Sequence, residues 1–459
     1  MTDRHPERRR IELFMRGDLP GEDSRDLVIH LLSGCESCRR LARESFPCDS
    51  PEVQSASELP ERWQATAAGR YAQVFDRVLP AVRKAEEDLE DDRILGPQLL
   101  DELERHPHER RLLLVRNSRR FRSWSLCEVI LDRAYSLGFK NPSSAIEFSE
   151  LAIEVADSVD EDALSAQLVL DLQSRTHSIL GNALRISGDL QRAAKEFELA
   201  ENLLAQGSRD ELEQARFAEL KSHLLFELRD FESSIQLLNQ AIKVYRSHRE
   251  EHRLGRALIS RGYQQSEKGD LGSAIGSLRQ GLRNIDPIRE PRVVLVAKHN
   301  LVHHLYDTAR YHQALALVPE TMKLHQQHGN EMDMTRFRWL VGQILRDCGR
   351  IEDAEDELLG VREFFVAQQV AHDTALVSLD LAVIYLRKRR TAELKELATE
   401  MLTIFHALRV NREAIAALVL FQKAVEVERV TLGLVRDLAA YLKSARHDPH
   451  LPFRPSSTG

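Results

Sequence analysis

The stretch "LGNALRISGDLQRAAKEFELAENLL", residues Leu180–Leu204, decides the fold of this chain. Apolar residues recur at helical spacing on both sides of the dipeptide Gly188-Asp189. Glycine commonly ends a helix, and aspartate commonly begins one. The stretch therefore predicts two amphipathic helices joined by a very short turn.

The same break recurs along the chain, at successive separations of 41, 40, 40, 40 and 40 residues. A fixed period of this length is typical of proteins built from stacked helical hairpins. The dipeptides at the breaks are Gly188-Asp189, Arg229-Asp230, Gly269-Asp270, Ala309-Arg310, Gly349-Arg350 and Arg389-Arg390.

Mostly small residues occupy two fixed positions in each period, one shortly after the break and one twelve residues earlier. Small side chains at a helix crossing let two helices approach closely, so these positions predict where each hairpin packs. The pairs are Gly181 and Ala193, Ser222 and Ser234, Gly262 and Ala274, Val302 and Ala314, Gly342 and Ala354, and Ala382 and Leu394.

This pattern resembles the tetratricopeptide repeat over roughly residues 126–443. The resemblance implies an all-α fold, a right-handed α-solenoid of tetratricopeptide-like helical hairpins. The period of 40 exceeds the usual 34, so the helices or turns must be longer. Long repeats of this kind occur in bacterial regulatory proteins that sense peptides or partner domains.

A different signal lies near the start, in "HPERRRIELFMRGDLPGEDSRDLVIHLLSGCESCRR", residues 5–40. Cys35 and Cys38 form a C-x2-C pair on a turn, and His30 ends a preceding helical pattern. Structural zinc takes four thiolate or imidazole ligands in a tetrahedral array. The fourth ligand is either His5, which we favour, or Cys48. Two alternatives are ordinary reduced thiols and a redox-sensitive thiol switch.

The segment "LFMRGDLPGEDSRDLVIHLLSGCESC" is similar to the zinc-binding domain of anti-sigma factors, a likeness confined to about the first tenth of the chain. In that family an upstream cysteine or histidine completes the site, and His5 lies 25 residues before His30. The resemblance implies Zn²⁺ held by His5, His30, Cys35 and Cys38. It also implies contact with a transcription sigma factor.

Composition and sequence pattern indicate the boundaries of the domains along the chain. We expect a zinc-binding domain at 1–46, a linker at 47–62, adaptor helices at 63–125, repeats at 126–443 and a loose tail at 444–459.

A net charge of -8 argues against direct nucleic-acid binding. The longest apolar run, Ala414 to Phe421, is too short to span a membrane. With no signal peptide visible, the expected location is the cytoplasm.

Binding residues are expected on the first helix of each hairpin, since these helices line the concave side of such a solenoid. Equivalent positions there carry arginines and hydrogen-bonding side chains, which suit carboxylates of an acidic peptide. The alternative is a solvated helix face whose arginines pair with neighbouring acids. The candidate groove residues are Arg175, Asn182, Arg216, His223, Arg256, Tyr263, His303, Arg336 and Gln343.

The sequence favours a binding protein over an enzyme, because it contains no phosphate-binding loop, serine-nucleophile elbow or H-E-x-x-H pair. His299, His303 and His304 have no cysteine near them and are more typical of a helix face than of a metal site. The expected function is that of a regulatory adaptor binding a protein or peptide partner. The alternative is a scaffold subunit of a larger complex, in which the zinc domain is a structural cap.

Overall fold

A computed structural model describes most of the chain from residue 92 onward and a few positions before it. The described residues are 6, 8–15, 27, 38, 41, 90, 92–159, 165–407, 412–426, 429–445, 448 and 451–453. The chain divides into two compact units, Met1–Arg93 and Ile94–Gly459. Every regular element among these residues is helical, which confirms the all-α fold class.

The described part of the first unit contains α1 (Arg8–Met15). Ile11, Leu27 and Cys38 form a small buried cluster there, with Phe14 and Leu41 packed against it.

The second unit is a succession of antiparallel helices joined by short turns. It begins within α2 (92–104), which starts in the last residues of the first unit, and continues with α3 (His108–Asn117), after which the hairpins follow one another. The remaining helices are α4 (Trp124–Leu137), α5 (Pro142–Ser158), α6 (Ala166–Ser187), α7 (Leu190–Gln206), α8 (Glu211–Glu227), α9 (Phe231–Ser247), α10 (Glu251–Glu267), α11 (Leu271–Asn284), α12 (Pro291–Asp307), α13 (Tyr311–His328), α14 (Glu331–Asp347), α15 (Ile351–Ala367), α16 (Ala371–Arg387), α17 (Thr391–Ala407), α18 (Arg412–Glu426) and α19 (Leu432–Ala445).

The turn inside each hairpin has the same backbone conformation in all six predicted repeats. The first residue of the break is left-handed, with φ between 53° and 92° at Gly188, Arg229, Gly269, Ala309, Gly349 and Arg389. The next amide donates to a carbonyl five residues earlier, as from Asp189 to Leu184 at 3.0 Å. This bonding satisfies carbonyls that the end of a helix would otherwise leave unpaired. The predicted breaks are therefore confirmed as helix ends.

Aspartate at the second position of the break begins the following helix. The carboxylate of Asp189 accepts from the amide of Arg192 at 3.1 Å, and Asp230 and Asp270 accept in the same way from Ser233 and Ser273. These side-chain caps bond backbone amides that have no partner within the helix. The three later repeats have arginine instead and lack this cap.

The helices of a hairpin meet at the predicted small residues. A Cβ atom added to Gly342 would lie 2.7 Å from Leu358, and one added to Gly262 would lie 2.9 Å from Leu278. Ala274 and Ala354 are fully buried at the same crossings. The first helix of the pair therefore lies against the side chain of the second with no room for a larger residue.

Stacking of the hairpins buries a continuous apolar core that extends from Ile259 in α10 to Ala445 in α19. Leu451 and Phe453, in the segment expected as a loose tail, pack against this core, and the Phe453 ring lies 5.1 Å from that of Tyr441. None of the described helices combines the length and apolar character needed to cross a membrane.

The repeated turn predicts opposite effects for two exchanges. Gly349→Ala should lower the free energy of unfolding by about 1 kcal/mol, because a Cβ is unfavourable at positive φ. Ala309→Gly should raise it by up to about 1 kcal/mol for the same reason. Urea-unfolding midpoints measured by circular dichroism would test this, and shifts of the same sign in both variants would contradict it.

Candidate functional site

The first helices of successive hairpins, α4, α6, α8, α10, α12, α14 and α16, lie side by side and carry the predicted groove residues. We call their shared surface the first-helix face. Its charged side chains join each helix to the next.

The amino-terminal half of this face is an ion-pair network. Arg175 in α6 donates twice to the buried carboxylate of Glu213 in α8, at 2.6 and 3.0 Å. It also donates to Glu128 in α4 at 3.1 Å, while Arg216 reaches Glu213 at 2.7 Å. Burial opposes the charge of Arg175, but the two carboxylates raise its pKa. Arg175 thus ties three first helices together.

Arg256 in α10 makes a contact of much longer range. Its guanidinium lies 5.0 Å from the ring centroid of Tyr135 in α4 and donates to the Tyr135 hydroxyl. Glu219 in α8 and Glu290 before α12 flank the same guanidinium at 3.4 and 3.2 Å. This contact links hairpins that are not neighbours in the chain.

The other predicted groove residues also have partners within the chain. Asn182 is buried and accepts from Arg185, and His223 lies 3.4 Å from the Ser260 hydroxyl. Tyr263 is 44% exposed and its ring lies 5.3 Å from that of Phe226.

In the carboxyl-terminal half, His303 lies 2.9 Å from Asp307, and Arg336 donates to Asp373 at 3.3 Å. Gln343 donates to Asp380 at 2.8 Å. All four predicted arginines therefore form ion pairs between or within helices. The alternative interpretation of the sequence, a solvated helix face, expects such pairs with neighbouring acids.

A pocket of about 610 Å³ is lined by the second helices α15 and α17, whereas a pocket of about 540 Å³ lies at the carboxyl-terminal end of the first-helix face. We call the latter the C-terminal pocket. It forms where α19, the last of the described helices, packs against α16 instead of continuing the stack. Its lining residues are Tyr306, Tyr311, Gln343, Arg346, Asp347, Leu379, Asp380, Val383, Arg387, Val435, Arg436, Ala439 and Lys443.

The floor of the C-terminal pocket is a satisfied polar network. Arg346 is largely buried, bonds Asp347 at 2.9 Å and also bonds Asp380. The Tyr306 hydroxyl donates to Asp347 at 3.1 Å and lies 3.2 Å from Arg346. Burial would raise the pKa of Asp347, but hydrogen bonds from Arg346 and Tyr306 lower it. The Asp347 carboxylate is therefore ionised, and Arg346 already neutralises it in part.

The rim of the pocket carries cations that have no such partner. Arg436 and Lys443 are exposed on α19, and neither forms an ion pair within 4 Å with any described residue. Arg387 lies 3.9 Å from Asp347 and is also exposed. With four cations and two carboxylates, the lining has a formal charge of +2 in a protein of net charge -8. The pocket is thus a local positive site suited to an anionic group.

Of these lining residues, the sequence predicted Gln343 as a groove residue but did not single out Arg436 or Lys443. Those two residues belong to α19, which lies outside the 40-residue pattern, so the repeat register gives no position for them. The available signal was the apolar stripe of α19, in which Val435, Leu438 and Leu442 are buried.

Most of the predicted zinc ligands cannot be placed. His5, His30 and Cys35, together with the alternative ligand Cys48, lie outside the described residues. Cys38 is buried beside Ile11 and Leu27. The zinc site therefore remains a prediction.

The histidines of α12 lie close to one another and to α13. His299 and His325 are 3.1 Å apart through Nδ1 and Nε2, and the His325 ring stacks on Phe337 at 4.8 Å. Burial and the neighbouring His325, His303 and His304 lower the pKa of His299 to about 4, against an opposing effect of Asp333. Burial lowers the pKa of His325 as well. Both rings are neutral at pH 7.

No protein-family model matches the chain, and no curated protein matches it either. Solved structures are similar at low identity. BtubC from P. vanneervenii is 14% identical, with a TM-score of 0.41 over 50% of this chain and 92% of that one. Aspartyl phosphate phosphatase F from Bacillus subtilis is 13% identical, with a TM-score of 0.39 over 89% and 96%. A signal transduction ATPase with a tetratricopeptide repeat sensor from Pyrococcus horikoshii is 14% identical, with a TM-score of 0.49 over 70% and 49%. These similarities concern the fold alone.

The buried histidine pair predicts a loss of stability in mild acid. Since the folded protein holds His299 neutral to about pH 4, the unfolded chain binds more protons between about pH 6.5 and 4. The free energy of unfolding should fall by up to about 2 kcal/mol from pH 7 to pH 5 on this account. Urea unfolding at both pH values would measure it. The double variant His299→Leu/His325→Leu should show a smaller fall, and an equal fall would assign the effect to other groups.

Proposed function

We propose that this protein is a non-enzymatic adaptor whose C-terminal pocket binds an acidic segment of a protein or peptide partner. The observation that carries the proposal is the contrast between the cations of the first-helix face and those that α19 adds to the C-terminal pocket. Arg175 and Arg256 are paired with buried carboxylates and Arg346 with half-buried ones, whereas Arg436 and Lys443 are exposed and form no ion pair with a described residue.

The paired arginines are poor binding residues. Withdrawing Arg346 from Asp347 and Asp380 would leave two half-enclosed carboxylates without their cation, which costs several kcal/mol in comparable buried pairs. Arg436 and Lys443 lose only water when a carboxylate approaches. A charge-assisted bond to either is therefore a net gain.

The dimensions of the C-terminal pocket favour an extended segment. A volume of about 540 Å³ suits a few side chains or a small molecule rather than a folded domain. Leu379, Val383, Val435 and Ala439 give the pocket an apolar wall beside its charges. A peptide with an acidic residue next to apolar ones fits this combination.

The amino-terminal unit has a separate role in the proposal. Residues 1–46 would bind Zn²⁺ through His5, His30, Cys35 and Cys38 and contact a second protein, for which a sigma factor is the specific candidate. Support comes from the resemblance of the sequence and from the burial of Cys38 beside Ile11 and Leu27. The second candidate function is a scaffold subunit in which this unit is a structural cap.

A fluorescein-labelled hexaglutamate peptide provides the first test. Its affinity, measured by fluorescence anisotropy, should fall about tenfold or more in Arg436→Glu/Lys443→Glu, since reversing each nearby charge costs on the order of 1 kcal/mol. Lys195→Glu/Lys243→Glu is the matched control, because it changes the net charge equally at exposed positions of α7 and α9. An equal loss of affinity in both variants would mean that the peptide binds by general electrostatic attraction, and it would favour the scaffold function.

Zinc content, measured by elemental analysis of the full chain, tests the amino-terminal unit. The expected result is a zinc ion that is lost in Cys35→Ser and reduced in His5→Ala but retained in Cys48→Ala. Thiolates are the strongest ligands of the proposed set, so Cys35→Ser should have the larger effect. A zinc content that Cys35→Ser leaves unchanged would contradict this site. It would also contradict the case for a sigma-factor partner.

A further inference from the structure

Three potential metal ligands lie together at the end of α12: His303, His304 and Asp307. One ligand atom from each side chain lies within 4.8 Å of the other two. With about 100° between successive helical residues, Asp307 projects about 40° from His303 and about 60° from His304, one turn further along. The three side chains therefore converge on one point beside the helix.

His304 supplies an independent sign of a ligand. The residue is 8% exposed, and neither ring nitrogen has a hydrogen-bond partner among the described residues. Burying a polar atom without a hydrogen-bond partner has a free-energy cost. A metal ion bound to one of these nitrogens would remove part of that cost.

The other two ligands are more exposed and can adjust. His303 Nδ1 and the Asp307 carboxylate are 2.9 Å apart, with exposed side-chain fractions of 51% and 35%. Ligand atoms around zinc lie about 3.4 Å from one another, since each is about 2.1 Å from the ion. Small rotations of these exposed side chains would bring the three atoms from 4.8 Å to that separation.

The chemistry of the ligands selects the class of metal. Two imidazoles and one carboxylate suit Zn²⁺, Ni²⁺ or Cu²⁺ better than Mg²⁺ or Ca²⁺, which prefer oxygen alone. We propose that His303, His304 and Asp307 form a binding site for a divalent transition metal, with a fourth position left for water or a ligand from a partner. This site is separate from the amino-terminal zinc site and contains no sulfur.

Lys443 is expected to compete with the metal. The Lys443 ammonium lies close enough to Asp307 to attract its carboxylate. Lys443 also lines the C-terminal pocket. A metal on Asp307 would repel the Lys443 ammonium, so metal binding and the charge of the pocket rim are coupled.

Titration of the full chain with Co²⁺ tests the proposal, because tetrahedral Co²⁺ absorbs visibly and thiolate ligands add a charge-transfer band. The wild-type spectrum minus that of Asp307→Asn should show a tetrahedral band without the sulfur band. Asp307→Asn keeps the shape of the side chain, so loss of the band cannot be assigned to misfolding. His304→Phe should lose the same band, and His312→Ala, at an exposed position of α13, should keep it.

Lys443→Met should tighten Co²⁺ binding about threefold or more, because it removes one positive charge near the metal. A difference spectrum with no tetrahedral band would overturn the proposal. So would a band that persists in His304→Phe. Neither result bears on hexaglutamate binding, which is measured without metal.

Discussion

The close approach of two helices at a small residue is the constraint on which this structure depends. At Gly342 a single added carbon would lie 2.7 Å from Leu358, so the crossing distance is set by the absence of a side chain. Because the same crossing recurs every 40 residues, each hairpin presents a similar shape to the next. From α10 to α19 the stacked hairpins bury one continuous apolar core.

The periodic features of the fold could be predicted from the sequence, and the reason is local. A left-handed residue, an N-cap aspartate and a small residue at a crossing each depend on neighbours within one hairpin. Arg229, Ala309 and Arg389 adopt the same left-handed conformation as the glycines at equivalent breaks. The position of each turn within the 40-residue period therefore identified it even where the residue type did not.

The candidate site was harder to predict from the sequence, because it depends on contacts between hairpins. The equivalent arginines were recognisable, but Arg175 and Arg336 meet Glu213 and Asp373, which lie 38 and 37 residues further along. Those pairings follow from the lateral register of the first helices, which a single sequence does not show. The C-terminal pocket requires α19 to turn back onto α16, and that departure from the repeat has no periodic signal.

The contact between Tyr135 and Arg256 has a consequence for how the chain folds. In a simple solenoid each unit touches only its neighbours, so folding can begin anywhere and its contact order stays low. Tyr135 and Arg256 are 121 residues apart and join hairpins that are separated by two others. Fraying of the first hairpin would break a bond made by the fourth, so the intervening units lose some of their independence. The amino-terminal half of the solenoid should therefore unfold more nearly as one cooperative block than as a series of separate repeats.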